Sequence, residues 1–238
     1  MEHEHSPSAI RERLSVAPRQ SYLRDWIYGG IDGAVTTFAV VSGVVGAQLS
    51  HRVILVMGAA NLLADGFSMA ASNFLGTRAE ADEFKHAEAI EHRHIDLIPE
   101  GEREEVRQIF AEKGFQGDDL RRVVELITSD RNIWVRTMLT EEYGLPNQVR
   151  SPWKAALSTF NAFLLCGLPP LVPFIFDLPR PFELAAISTF LVFFAIGSMK
   201  SIWSPTSWWR SGLETLAVGA VAASLAYFVG VVLKGLGG

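Results

Sequence analysis

Long apolar windows alternate along the chain with one dense polar block. The windows run over about 28–49, 53–76, 155–176, 184–202 and 213–233. A hydrocarbon core about 30 Å thick takes roughly 20 helical residues to cross, so each window predicts a membrane-spanning helix. Residues 77–150, between the second and third windows, are polar but keep helical spacing. "TRAEADEFKHAEAIEHRHIDLI" holds neither Gly nor Pro and continues directly from the second window, which predicts one helix running out of the bilayer. "PEGEREEVRQIFAEKGF" opens on Pro99 with acidic residues in its first turn and closes at Gly114. "DDLRRVVELITSDRNIWVRTMLTEEYG" offers Asp118 as a cap and apolar residues at Leu120, Val123, Val124, Ile127, Ile133, Trp134 and Met138, and stops at Gly144. The pattern predicts an all-α membrane protein: five transmembrane helices with a three-helix cytoplasmic insert between the second and third spans. It divides into a tail (1–24), spans one and two (25–76), the insert (77–150) and spans three to five (151–238).

Composition alone would mislead. The apolar share is 49% and the charged share 20%, values that fit a soluble protein. The charge is segregated: seventeen of the 26 Asp and Glu residues lie between Glu80 and Glu142. The first twenty residues are polar, with no short apolar core before a small-residue cleavage site, so the first span is expected to be retained. The lone cysteine, Cys166, falls in the third window, which leaves no disulfide framework and no Cys metal motif. Basic residues flank the spans unevenly. Arg11, Arg13, Arg19 and Arg24 precede the first, the polar block carries many more, and Lys200 and Arg210 follow the fourth. The positive-inside rule then puts the N-terminus, residues 77–150 and the 200–210 loop in the cytoplasm. "SIWSPTSWW" reads as an interfacial aromatic anchor, and Glu214 sits near the cytoplasmic start of span five.

Two carboxylates interrupt the apolar windows. Asp32 lies in "YGGIDGAVTTFAVVSGVVGAQL" and Asp65 in "VILVMGAANLLADGFSMAASNFLG", each followed by a glycine that allows close backbone approach. A charge at mid-bilayer costs at least about 2.5–3.5 kcal/mol on insertion scales, so such residues usually face a bundle interior or a water-filled path. Met69 and Asn73 follow Asp65 at helical spacing. Pro169, Pro170 and Pro173 in the third window cannot continue an ordinary ladder, and predict a kink. In the polar block, Glu91 and His94 are three apart, Glu102 and Glu105 three, and Met138 and Glu142 four, so each pair shares a helix face. Carboxylate, imidazole and thioether together suit a divalent transition metal. Pairs from several helices follow the logic of di-metal carboxylate bundles. "HAEAIEHRH" offers a second set, His86, Glu88 and His92, one turn away. The tail "MEHEHSPS", with His3 and His5, is expected to be disordered, weak metal capture being the alternative.

From about residue 21 onward the chain resembles the vacuolar iron transporter family. The matching stretches are "LRDWIYGGIDGAVTTFAVVSGVVGA", "NLLADGFSMAASNFLGTRAE", "EREEVRQIFAEKGF" and "NAFLLCGLPPLVPF", in an order of five spans with a charged insert after the second. The resemblance implies a proton-coupled antiporter, not an enzyme. It would export Fe²⁺, and Mn²⁺, Zn²⁺ or Co²⁺ as further candidates, from the cytosol for iron detoxification and homeostasis. It implies a homodimer with the pathway at its interface, no prosthetic group and no nucleic-acid partner. The implied translocation residues are Asp32 and Met69, with Asp65 and Asn73 nearby. The implied metal ligands are Glu91, His94, Glu102, Glu105, Met138 and Glu142. His94 stands where the family commonly has Glu, and Leu139 where it has a second Met. A bacterial inner membrane is the expected location. The competing classes are a membrane-anchored, ferritin-like metal-binding or oxidase protein that does not transport, and a membrane module for a non-metal cargo.

Overall fold

The computed structural model describes residues 6–15, 20–146, 148–203 and 206–236. Among them the chain is helical, with α1 (Pro7–Ser15), α2 (Leu23–Gly46), α3 (His51–Leu97), α4 (Pro99–Glu112), α5 (Gly117–Thr128), α6 (Arg131–Glu141), α7 (Pro152–Gly167), α8 (Val172–Ile175), α9 (Pro181–Lys200) and α10 (Trp208–Leu236). α1 was not anticipated. Ser6 accepts from the Ala9 amide (3.4 Å) and Pro7 opens the first turn, a local start signal inside the polar tail. His3 and His5 lie outside the described residues.

Contacts divide the chain into one unit of residues 1–67 with 158–238, and a second of Ser68–Leu157. In the first, α2, α9 and α10 pack on one another around Ala34, Cys166, Phe193 and Ile196. α2 approaches α7 through glycines. A Cβ on Gly29 would stand 2.3 Å from the Thr159 carbonyl oxygen, and one on Gly33 2.3 Å from that of Phe163. The glycine after Asp32 is thus a backbone-to-backbone contact, as the sequence suggests.

Among the described residues, four helices are long and apolar enough to cross a membrane: α2, α3, α9 and α10. The third apolar window is not one continuous helix of spanning length. α7 ends at Gly167 after 16 residues, and a tight turn through Leu168–Leu171 precedes the 4-residue α8. Pro169 and Pro170 bring no amide to the ladder. The Pro169 carbonyl accepts from the Val172 amide (3.3 Å) and from Ser188 Oγ of α9 (3.3 Å), internal satisfaction of the kind that broken helices need in an apolar setting.

α3 runs unbroken for 47 residues, more than twice a bilayer crossing, as the lack of Gly and Pro after Gly76 predicts. The rest of the second unit departs from the expected three helices. "DDLRRVVELITSDRNIWVRTMLTEE" forms two, because Asp130 caps a new start: its side chain accepts from the amides of Asn132 (2.8 Å) and Ile133 (3.1 Å). Asp118 is not the cap of α5. That position falls to Gln116, and Asp118 sits in the first turn beside Asp119. The four helical segments close on Ala87, Ile95, Val106, Ile127, Trp134, Val135, Met138 and Leu139.

Candidate metal site and intramembrane polar seam

In the second unit the sequence-predicted ligands converge. Glu91 on α3 is 1% exposed and Glu102 on α4 4%, burial that carboxylates rarely show unless paired. The Glu91 charge acts on Glu102. His94 Nδ1 lies 3.3 Å from Glu102 Oε1 and 3.9 Å from Glu91 Oε1. Tyr143 donates its phenol to Glu91 Oε1 at 3.0 Å. The second oxygen of each acid, Glu91 Oε2 and Glu102 Oε2, is buried without a hydrogen-bond partner. Glu105 and Glu142 are exposed at the rim but interact electrostatically with the pair. Four carboxylates from three segments thus crowd one imidazole and one phenol.

The electrostatics follow from burial and like charge. Burial first, then Glu91, Glu105 and Glu142, raise Glu102 to about 8. Glu142 is raised by burial, then by Glu91 and Glu105, with His94 opposing. Burial and the Glu91 carboxylate push the Tyr143 phenol up. Glu102 therefore favours its protonated form at neutral pH, and a cation entering the cluster would displace that proton. Among the described residues no three His, Cys, Asp or Glu side chains stand in ready ligand geometry. The donors are gathered but not closed into a shell, as expected for acids that share a proton and repel.

Met138 is fully buried in the apolar core, with Leu139 beside it at 2% exposure. Its carbonyl accepts the amides of Glu142 (2.9 Å) and Tyr143 (3.4 Å), so the methionine backbone aims both rim groups. Of the second set, Glu88 and His92 line one small cavity. His86 is exposed, while His92 Nδ1 accepts from Arg131 Nε at 3.0 Å. Arg131 also grips Asp96 through two bonds (2.5 and 2.8 Å), fastening α6 to α3. Tyr143 was missed by sequence reasoning; its only signal was adjacency to Glu142 at a helix end.

In the first unit, Asp32 of α2 and Asp65 of α3 interact electrostatically. One turn along, Asn61 Nδ2 donates to Thr36 Oγ1 at 3.2 Å, and Thr36 Oγ1 donates to the Asp32 carbonyl at 2.9 Å. Residues 32 and 36 thus meet 65 and 61 across antiparallel helices, a polar seam inside apolar windows. The two aspartates share this seam. Thr36 and Asn61 were missed, though each lies four residues from an aspartate. In the second unit, Met69 is half-buried and Asn73 Oδ1 accepts from Thr77 Oγ1 at 3.4 Å.

Both features fall within a stretch, residues 23–231, that matches the model of the VIT family. The chain belongs to the VIT family. It is 32% identical to a vacuolar iron transporter of Toxoplasma gondii over 90% of this chain and 74% of that one. It is 32% identical to one from Centaurea cyanus, over 86% and 85%. With vacuolar iron transporter 1 of Arabidopsis thaliana the identity is 29%, over 89% and 86%. The family and the four apolar helices together support an integral membrane protein.

Proposed function

We propose that this VIT-family member exports Fe²⁺, and Mn²⁺ as a second cargo, from the cytosol in exchange for protons. The observation that carries the reading is the buried Glu91–Glu102 pair, with two unpartnered oxygens and a retained proton. Such a pair is costly to a protein that never meets a cation. Glu91, His94, Glu102, Glu105 and Glu142 capture metal, and Met138 supplies a thioether from behind once its side chain turns. His94 in place of a carboxylate lowers the charge of the set, and Leu139 withholds a second sulfur, which favours a harder site. The acidic surface concentrates cations ahead of capture.

Asp32, Met69, Asp65 and Asn73 form the intramembrane pathway. Metal binding requires a deprotonated carboxylate, so metal and proton compete at Asp32. A proton from the far side releases the metal there, and that competition is the exchange. α7 with α8 serves as a fifth, broken crossing, and a homodimer encloses the pathway. The distribution of basic residues supports a cytoplasmic N-terminus and cytoplasmic residues 77–150, and we read the membrane as a bacterial inner membrane. Export of this kind supports iron detoxification. In proteoliposomes, Fe²⁺ flux should follow an imposed pH gradient and stop in Asp32→Ala. Undiminished flux in that variant removes Asp32 from the pathway. Iron-dependent O₂ consumption without flux would instead support a membrane-anchored oxidase.

A further inference from the structure

A cavity of about 490 Å³ opens between the start of α2 and the end of α9, lined chiefly by Leu23, Arg24, Ile27, Tyr28, Ile31 and Lys200. Its two cations come from different helices, and neither is in an ion pair among the described residues. Arg24 rests over the Tyr28 ring, 5.3 Å from its centroid. Residues 24, 27, 28 and 31 share one face of α2. Positive charge therefore lies at the mouth, with isoleucine one and two turns further along, about 5 and 10 Å at 1.5 Å per residue. Ile27 and Ile31 also back onto the apolar core, which fixes this wall.

We propose that this groove binds an anionic phospholipid, its phosphate shared by Arg24 and Lys200 and an acyl chain laid along Ile27 and Ile31. The inference rests on reading α2 and α9 as membrane spans, not on metal transport. Charge complementarity selects the occupant. Basic pockets between transmembrane helices on the cytoplasmic side suit anionic headgroups, and each cation near the surface adds about 1 kcal/mol. A zwitterionic headgroup would bring its own cation against Arg24 and Lys200. A free anion would leave the isoleucine wall unused.

The test is native mass spectrometry of the full chain in detergent, offered equal phosphatidylglycerol and phosphatidylcholine of the same acyl chains. Retained phosphatidylglycerol should exceed phosphatidylcholine by about thirtyfold, the scale of two such cations. Arg24→Gln/Lys200→Gln should bring the ratio near one, and Lys200→Gln alone, at the exposed end of α9, should lower it at least threefold. Millimolar glycerol phosphate should displace nothing. Equal retention of both lipids by the native chain, an unchanged ratio in Lys200→Gln, or displacement by glycerol phosphate each overturns the assignment. Lipid retention is read without metal or flux, so failure of the transport reading leaves this result standing, and the reverse.

Discussion

Replacing Glu102 by Gln should make the metal-free second unit more stable while depriving it of metal. Glu102 is 4% exposed and is raised to about 8 by burial and by the charges of Glu91, Glu105 and Glu142. Unfolded, the same carboxyl titrates near its ordinary 4.5. Between these values the folded chain binds more protons than the unfolded one, so stability falls as pH rises. The contribution is intact below about 4.5, erodes upward, and levels off above about 8. At about 1.4 kcal/mol per pH unit the loss at pH 7 is on the order of 3 kcal/mol. Sharing among coupled carboxylates brings the expected figure nearer about 2. Gln keeps the shape of the neutral acid and escapes the loss.

Hydrogen exchange of the full chain in detergent with chelator, followed over α4 and α6 from pH 5 to 8, reads this directly. Glu102→Gln should protect both helices more than the native side chain at pH 8, by about 2–3 kcal/mol, and hardly at all at pH 5. Mn²⁺ should then protect the native chain strongly at pH 8, weakly at pH 5, and the variant at neither. A variant less protected than the native chain at pH 8, or a difference that ignores pH, would refute the account of a buried, proton-holding pair.

Tyr143→Phe removes the phenol donor to Glu91 Oε1 and should cost about 1–2 kcal/mol in protection of the same helices, leaving a buried carboxylate oxygen unsatisfied. Gly33→Ala places a methyl carbon 2.3 Å from the Phe163 carbonyl oxygen and should lower the detergent Tm sharply, by several kcal/mol of packing strain. Gly76→Ala on α3 meets nothing within 4 Å and should instead raise stability by up to about 1 kcal/mol through helix propensity. Asn61→Leu deletes the bond to Thr36, so Fe²⁺ flux in proteoliposomes should drop while Tm shifts by no more than about 1 kcal/mol equivalent.

The features legible in the sequence were those written in local periodicity. The unbroken α3 follows from a stretch without breakers, and the ligand pairs follow from spacings of three. Two misreadings had local signals that were outweighed. Ile127 to Ile133 is a gap of six, which no helix face supports, and Ser129-Asp130 inside it is a start signal that the apolar run obscured. Likewise, hydropathy averages over Gly167-Leu168-Pro169-Pro170, whereas the backbone ladder cannot. Other features are tertiary in origin. Nothing local distinguishes Glu102 from Glu105, yet only Glu102 turns inward beside the fully buried Val106. The pairing of 32 with 65 and 36 with 61 depends on how two helices meet, which spacing within each leaves open.

The two polar features place their demands differently. The seam of Asp32, Thr36, Asn61 and Asp65 is hydrogen-bonded at one end and carries two acids at the other. Its neutral half knits α2 to α3, so the acids need not hold the helices together and are left for chemistry. The Glu91–Glu102 pair has no such helper: Tyr143 and His94 occupy one oxygen of each acid and leave the second bare. Filling those positions with amides would give a more stable, inert bundle. Keeping acids there leaves the second unit weakened at neutral pH, and a bound cation offsets that weakness. Under the proposed function, metal occupancy becomes a folding variable, with the largest stabilisation where the pair is most reluctant to lose its proton unaided. Protection of α4 and α6 should therefore track free metal concentration, while that of α9 and α10 should not.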